Sequence, residues 1–317
     1  MKVVLSIEEA RSIRGPKCVA IGFFDGVHIG HQKIIGAVVR ESQKRGLLST
    51  AITFEPHPLR VLKTETPPPL LTPLDKKLEL LASLGLDACA VLSFSPDFAG
   101  LSAEEFSRCV LKDGFEPRLV CVGYNFTFGH RGVGTPDTLR ELGRKLGFRV
   151  KVFAPVKVGG VTVSSTAVRE LVAGGRVKEA RRLLGRPFSI RGEVVAGDGR
   201  GRQMGIPTAN LVPPPEQLLP ADGVYAVVVK ARGRSYVGVT NVGRRPTFPS
   251  PRRLVEAHLL DYSGHLYGQD IEVFFLEWLR AEQTFPDAEA LRRQVVLDSQ
   301  KARRLAGPEG GSGIEAL

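Results

Sequence analysis

Up to about residue 184 the chain alternates short apolar runs with longer amphipathic stretches, and this alternation leaves few folds open. Residues 18–21, 48–54, 88–94, 119–122 and 148–153 read as buried strands. Between them, residues 31–45, 74–84, 103–112 and 136–146 carry helical spacing, and Gly46, Gly85 and Gly147 stand where a left-handed C-cap is wanted. Strands that alternate with helices predict a doubly wound parallel α/β sheet, Rossmann-like, with ligands at the carboxyl ends of its strands. Two further helices, 165–173 and 178–184, are expected to close this unit.

The texture changes at Gly185-Arg186-Pro187. Residues 188–196, 223–231, 235–242, 254–260 and 270–279 are β-rich runs punctuated by Gly and Pro, with no helix between them. That spacing predicts an antiparallel β-barrel, followed by a C-terminal helix over 287–305 that packs on it. The expected domains are therefore 1–185 and 186–306, with 307–317 a disordered tail. At 317 residues and 43% hydrophobic content the chain supplies two cores.

Charge narrows the function classes. The net charge of +11 favours anionic partners, yet Lys and Arg alternate with acids along the helices, as in Arg140-Glu141, Arg169-Glu170 and Lys178-Glu179. Without a zinc-finger spacing, an aromatic RNA-binding signature or a polybasic tail, nucleic acid is not the expected partner. No apolar run approaches the roughly 20 residues that span a bilayer, and Glu8, Glu9 and Arg11 occupy the place of a signal peptide's apolar segment, so a cytoplasmic protein is expected. The four cysteines form no CxxC pair; Cys18, Cys89 and Cys121 lie in apolar runs and read as reduced core residues, with no disulfide or zinc site.

The densest chemistry follows the first strand, where residues 22–31 read GFFDGVHIGH. A strand ends in a glycine-bearing turn and a helix begins near Gly30-His31. The unpaired N–H groups and positive end of a helix suit a phosphate, and His28 and His31 can donate hydrogen bonds to phosphoryl oxygens as charge builds up. Gly22, Phe24, Asp25 and Gly30 of this turn are candidate ligand contacts. After the second strand, TFEPHP places Phe54, His57 and Pro58 at the same sheet edge, where an aromatic ring and an imidazole can flank a planar ligand. GYNFTFGHRGVG, residues 123–134, offers the Asn125 carboxamide and Arg131 as a phosphate arm, while Phe126 and Phe128 read as packing. SSTAVR opens a helix with Ser164, Ser165 and Thr166, whose hydroxyls cap it or bond an anion, and Arg169 adds a fixed charge one turn later.

In the second half, GDGRGRQMGIPTAN supplies a glycine-rich loop, with Gly199 and Gly205 allowing backbone to approach a polyphosphate. It lacks the GK[ST] ending of a Walker A loop. Thr208 and Asn210 lie two positions apart on an extended segment and face one side, where both can address one Mg²⁺–phosphate group. NVGRRPTF, residues 241–248, is another glycine- and proline-shaped turn. Glu256 interrupts an apolar strand, either as an arginine's partner or as a general base toward a hydroxyl.

GFFDGVHIGH resembles the HxGH signature of nucleotidyltransferases. Taken together, GFFDGVHIGH, TFEPHP, GYNFTFG, SSTAVR, GRQMGIPTANL, GVYAV, NVGRRPTF, VEAHLLDYSGHLYG and the terminal LRRQVVLDSQKAR resemble, in order, the bifunctional bacterial riboflavin kinase/FAD synthetase family. The resemblance implies that the second domain phosphorylates riboflavin with ATP and Mg²⁺ to give FMN, and that the first transfers AMP from ATP to FMN to give FAD and pyrophosphate. It implies Thr208 and Asn210 as Mg²⁺ and phosphate ligands and Glu256 as the kinase base. His28 and His31 would stabilise the α-phosphate. Asn125, Ser164, Ser165, Thr166 and Arg169 would place the nucleotide and FMN phosphates. The partners it implies are these small molecules, on a monomer or weak homo-oligomer. His130 and Thr135 depart from the Lys-rich, Asp-ending form of the arginine loop, while Met204, Ile206 and Tyr262 are milder departures. A different adenylyl acceptor, or a basic flavin- or nucleic-acid-binding regulator, are the other readings; the first would show in pyrophosphate release with other acceptors, the second in salt-dependent binding without turnover.

Overall fold

The computed structural model describes residues 1–62, 67–197, 201, 205–244 and 253–307. The chain forms two compact units, Met1–Ser165 and Thr166–Leu317.

In the first unit the elements run β1 (Lys2–Val4), α1 (Ile7–Arg11), β2 (Lys17–Ile21), α2 (Ile29–Arg45), β3 (Leu48–Glu55), α3 (Pro58–Val61), α4 (Leu74–Ser83) and β4 (Ala88–Ser93). They continue with α5 (Pro96–Gly100), α6 (Ala103–Glu105), a π-helix (Phe106–Phe115), β5 (Pro117–Gly123), α7 (Pro136–Leu146), β6 (Arg149–Phe153), and the small hairpin β7 (Lys157–Val158) and β8 (Val161–Thr162). The six-stranded sheet has the order β1-β4-β3-β2-β5-β6 and is parallel throughout. Alternation along β2 sends Val19 and Ile21 into a cluster with Phe106, Val110 and Leu139 on one face. Cys18 and Ala20 go into a cluster with Ile35, Val38 and Leu81 on the other. Because helices cover both faces, β2 is buried along its whole length and reads as a continuous apolar run. Successive strands step away from β2 through β3 to β4, and the chain then returns to β5 on its other side, so the sheet's switch point lies between β2 and β5. The loops that follow these two strands open onto one crevice edge.

The sheet confirms the doubly wound expectation and adds β1, a short edge strand that pairs in parallel with β4. The expected helix over 103–112 is instead an α-turn opened by a Ser102–Glu105 capping box and continued as a π-helix.

The second unit contains α8 (Ser165–Ala173) beyond its first residue, α9 (Val177–Leu184), β9 (Phe188–Val195), β10 (Ala209–Val212), β11 (Gly223–Ala231), β12 (Arg234–Arg244), β13 (Arg253–Leu259), β14 (Asp270–Arg280) and α10 (Ala288–Ala306). The strands close into an antiparallel barrel of order β10-β13-β12-β11-β14-β9. Closure leaves no edge strand exposed. The barrel has one strand more than the five expected runs: β10, the extended segment of PTAN, which is too short and polar to stand out as a barrel strand. The expected C-terminal helix is present: Asp287 caps α10, whose Ala302 packs on Val224, Ala226 and Val239. Fully buried Asp298 anchors it, accepting from Arg280 Nε at 2.9 Å and Gln294 Nε2 at 3.0 Å.

The two helices expected to close the first unit fall almost entirely within the second. The apolar face of α9, Val177, Ala180, Leu183 and Leu184, is buried, and Lys178 pairs with Glu277 of β14 at 2.8 Å. Helical spacing identifies such a face but not the layer it packs against. The expected tail lies outside the described residues from 308 onward, as does Gly199.

Candidate nucleotide and phosphoryl-transfer sites

The first site is built on the turn after β2. Phe24 takes a left-handed conformation (φ 57°), a single turn of 3₁₀-helix covers Asp25–Val27, and His28 becomes the N-cap of α2. The helix thus starts at Ile29, two residues before the expected 31–45 stretch. The His28 imidazole folds back so that Nδ1 accepts the His31 backbone N–H at 3.3 Å. Its ring then stacks on the His31 ring, with centroids 3.6 Å apart and planes 17° apart. Gly30 makes this possible, since a Cβ there would lie 3.0 Å from His28 Cε1. The HxGH spacing is therefore a capping device: the intervening glycine is the space the first imidazole occupies. In the neutral ring an accepting Nδ1 leaves the proton on Nε2, which makes Nε2–H the donor.

The turn is braced from below by residues that the sequence offered as ligand contacts. Phe24 is 1% exposed, joins the core and meets His31 edge-on at 5.3 Å. Asp25 is 2% exposed; its two carboxylate oxygens accept the backbone N–H groups of Leu71 and Thr72, each at 3.0 Å. Its carbonyl accepts the Ser165 hydroxyl at 2.9 Å, which ties the SSTAVR segment to the turn. Phe54 is buried with Phe94 and Phe98.

Around this turn the topology gathers the other segments of the first unit. His57 caps α3, accepting the Leu59 N–H at Nδ1, with Pro58 at the first helical position. Its ring meets Phe23 of the turn at 4.0 Å. Asn125 and Arg131 are exposed beyond β5, on the other side of the switch point. Phe128 is buried and Phe126 stacks on it at 5.5 Å, so both are packing residues. Ser164 is half-buried. Thr166 and Arg169 belong to the second compact unit.

Lys77 is a residue that sequence reasoning missed. It is 1% exposed, with Nζ 3.3 Å from the Phe23 carbonyl, 3.5 Å from Thr53 Oγ1 and 4.1 Å from the centre of the Phe23 ring. Burial lowers its pKa, against the opposing charges of Glu55 and Asp25. On α4 it reads as one of two adjacent surface lysines, and nothing local distinguishes it.

The second site is a row across three barrel strands. Asn210 of β10 stands directly opposite Glu256 of β13, and Glu256 directly opposite Asn241 of β12. Directly opposed residues share a face and sit about 5 Å apart. Asn210 is 4% exposed and its Oδ1 is buried with no hydrogen-bond partner among the described residues. A buried acceptor left without a donor costs about 1–3 kcal/mol, and a hard cation or a ligand donor removes that cost. Gly197 gives the carboxamide its room: a Cβ there would lie 2.2 Å from Asn210 Nδ2. Thr208 lies just before β10 and is half-buried; Gly205, in the left-handed turn leading to it, is exposed.

His258 and Glu282 are further residues that the sequence did not single out. His258, two residues after Glu256, bonds the Pro207 carbonyl through Nδ1 at 2.8 Å and so anchors the PTAN segment. Glu282 accepts from Asn241 Nδ2 at 2.7 Å and fixes which way that carboxamide points. Residues 245–248 of the NVGRRPTF motif lie outside the described residues.

Oxygen donors from a hydroxyl and a carboxamide suit Mg²⁺ that arrives on a triphosphate better than a cation held by protein alone. Among the described residues no group of three or more His, Cys, Asp or Glu could hold a metal. No described helix is long and apolar enough to cross a membrane.

Residues 10–167 match the family model described as FAD synthetase, and residues 184–306 the one described as riboflavin kinase. The bifunctional riboflavin kinase/FMN adenylyltransferase of Escherichia coli K12 is 38% identical over 309 residues, 97% of this chain and 98% of that protein. Its namesake from Pseudomonas fluorescens is 40% identical over 293 residues, 92% of this chain and 94% of that one. Among solved structures, one titled macrolide-efflux protein from Streptococcus pneumoniae superposes with a TM-score of 0.86 at 29% identity, covering 96% of this chain and 99% of that one.

Proposed function

The chain belongs to the bifunctional riboflavin kinase/FMN adenylyltransferase family, and from that premise we propose how its residues divide the work. It is an enzyme of flavin cofactor synthesis. One domain phosphorylates riboflavin with ATP to FMN; the other adenylylates FMN with a second ATP, giving FAD and pyrophosphate. We assign adenylyl transfer to residues 1–185 and phosphoryl transfer to residues 186–306.

The FMN phosphate is already an anion, so its attack on the α-phosphate of ATP needs alignment and charge stabilisation rather than a base. His28 and His31 supply that stabilisation. The stacked pair at the N-terminus of α2 is the observation that carries this assignment. His28 donates from Nε2 because its Nδ1 is engaged by the cap, and the amino end of α2 adds its partial positive charge. Gly22 leaves room for the Phe24 ring and Gly30 for the His28 imidazole, so both glycines serve the site by shaping the turn. His57 and Pro58 flank the nucleotide, and Asn125, Arg131, Ser164 and Ser165 hold its phosphates and those of FMN. Phe24, Asp25 and Phe54 serve by holding the turn in shape.

In the barrel, the ribityl 5′-hydroxyl must lose a proton as it attacks the γ-phosphate, and Glu256 accepts it. Thr208 and Asn210 would hold Mg²⁺ together with the ATP phosphates, and Gly205, in the left-handed turn leading to them, would leave the backbone room to approach. The cation would neutralise phosphate charge as it develops. Asn210 stands directly across the strand pair from Glu256, which puts the metal-side and base-side groups at one register position. The reading carries with it a cytoplasmic monomer or weak homo-oligomer whose partners are small molecules rather than nucleic acid.

Purified protein given riboflavin, ATP and Mg²⁺ should accumulate FMN first and FAD after it, followed by chromatography. FAD formation from supplied FMN without any FMN from riboflavin would remove the kinase assignment, and the converse would remove the other.

A further inference from the structure

Lys77 buries an ammonium group in the layer between the sheet and α4, beneath the turn that carries His28 and His31. Taking such a charge out of water costs several kcal/mol, and an apolar side chain in a well-packed position avoids that cost. What the charge does can be read from its surroundings. The Phe23 carbonyl accepts from Lys77 Nζ at 3.3 Å and from Thr53 Oγ1 at 3.0 Å, so two donors from two different elements fix one peptide of the turn. The same ammonium lies over the face of the Phe23 ring, whose other neighbour is the His57 imidazole at 4.0 Å. Two residues of the segment entering α4, Leu71 and Thr72, meanwhile hold the Asp25 carboxylate. One stretch of chain therefore grips the turn at Phe23 by a charge and at Asp25 by two N–H groups. Through Phe23 that grip extends to the loop bearing His57.

We propose that Lys77 is a positioning residue for adenylyl transfer, holding the 22–31 turn and the His57 loop in one register through the carbonyl and ring of Phe23. The proposal rests on the assignment of adenylyl transfer to this turn. Lys77 acts through the protein's own groups: its role is to keep the imidazoles of His28, His31 and His57 in the geometry in which they meet the nucleotide.

The test uses the full-length protein, which carries its own control in the kinase activity. Lys77→Met keeps an unbranched side chain, one atom shorter, and removes the charge. It should lower kcat for FMN adenylylation by about thirty-fold, with KM for ATP and FMN changing by less than about three-fold. Riboflavin phosphorylation by the same preparation should be unchanged. Thr53→Val, nearly isosteric, should lower adenylylation kcat by about five-fold in the wild-type background and by much less once Lys77 is Met, because both groups act on the Phe23 carbonyl. If Lys77→Met fails to fold, the kcat effect of Thr53→Val and the same split between kcat and KM in Phe23→Leu decide the matter. Folded Lys77→Met with wild-type adenylylation overturns the proposal, as does a loss confined to KM. His28→Ala separates the two levels of argument. If it keeps FAD formation, the site assignment itself fails; if it loses FAD formation while Lys77→Met does not, only the role of Lys77 fails.

Discussion

Gly30→Ala is the substitution for which the structure predicts a clean separation of stability from activity. A Cβ at this position would lie 3.0 Å from His28 Cε1 and 3.1 Å from Nδ1. Non-bonded carbons settle at about 3.5–4.0 Å, so the ring has to give by a few tenths of an ångström. The cap hydrogen bond, already 3.3 Å long, does not survive that displacement, and the 3.6 Å stack on His31 opens with it. Loss of an N-cap costs about 1 kcal/mol, while Ala in place of Gly in a helix returns up to about 1 kcal/mol. The two offset, and stability measured by urea unfolding should stay within about 1 kcal/mol of wild type. Activity has no such compensation. A displacement of a few tenths of an ångström in a group that must meet the reacting phosphate lowers the rate by about ten-fold. Pyrophosphate release from ATP and FMN is the assay, with riboflavin phosphorylation by the same sample as control. FAD formation within about three-fold of wild type would refute the capping account of the HxGH spacing. A stability loss of several kcal/mol would show instead that the glycine serves folding.

Asp25→Asn should cost about 2–3 kcal/mol in chemical unfolding of the first unit, because an amide NH₂ cannot accept both the Leu71 and Thr72 N–H groups; an unchanged midpoint would count against the brace. Asp298→Ala strands Arg280 beneath α10 and should destabilise the barrel by about 3–5 kcal/mol, read as earlier thermal loss of kinase activity than of adenylylation. Coincident loss would contradict it. Of the four cysteines only Cys109 is exposed, and burial pushes the Cys89 thiol up to about 12. Burial closes Cys18, Cys89 and Cys121 to a reagent, and the raised pKa also keeps Cys89 from forming the reactive thiolate, so one equivalent should react with a thiol reagent at about pH 8 in the native state and four after denaturation.

The elements that could be read from sequence are those whose signal is local and long. The buried runs of β2, β3 and β4 and the glycine-stopped helices α2 and α7 declare themselves by periodicity and cap. Lys2–Val4 does not: three residues with Val3 40% exposed become a strand only through pairing with β4, more than eighty residues later. The π-helix keeps an apolar spacing close enough to that of an α-helix to pass for one. In the site, the histidine turn and the Thr208, Asn210 and Glu256 set were legible because their chemistry is unusual for their places. The brace beneath the turn was not. The partners of Asp25 are backbone N–H groups of Leu71 and Thr72, invisible in side-chain identity, and Lys77 looks like any helix lysine. Glu282 and Asn241 meet through barrel closure, forty-one residues apart.

The central claim is that one chain holds two separate reactions, with His28 and His31 serving one and Glu256 the other. Mixing two defective variants tests it directly. Alone, His28→Ala should convert riboflavin to FMN and stop, and Glu256→Gln should convert supplied FMN to FAD but leave riboflavin untouched. Mixed with riboflavin, ATP and Mg²⁺, the two should together make FAD. If either variant alone carries riboflavin through to FAD, or if the mixture of two folded variants makes none, the division of labour drawn from these residues is wrong.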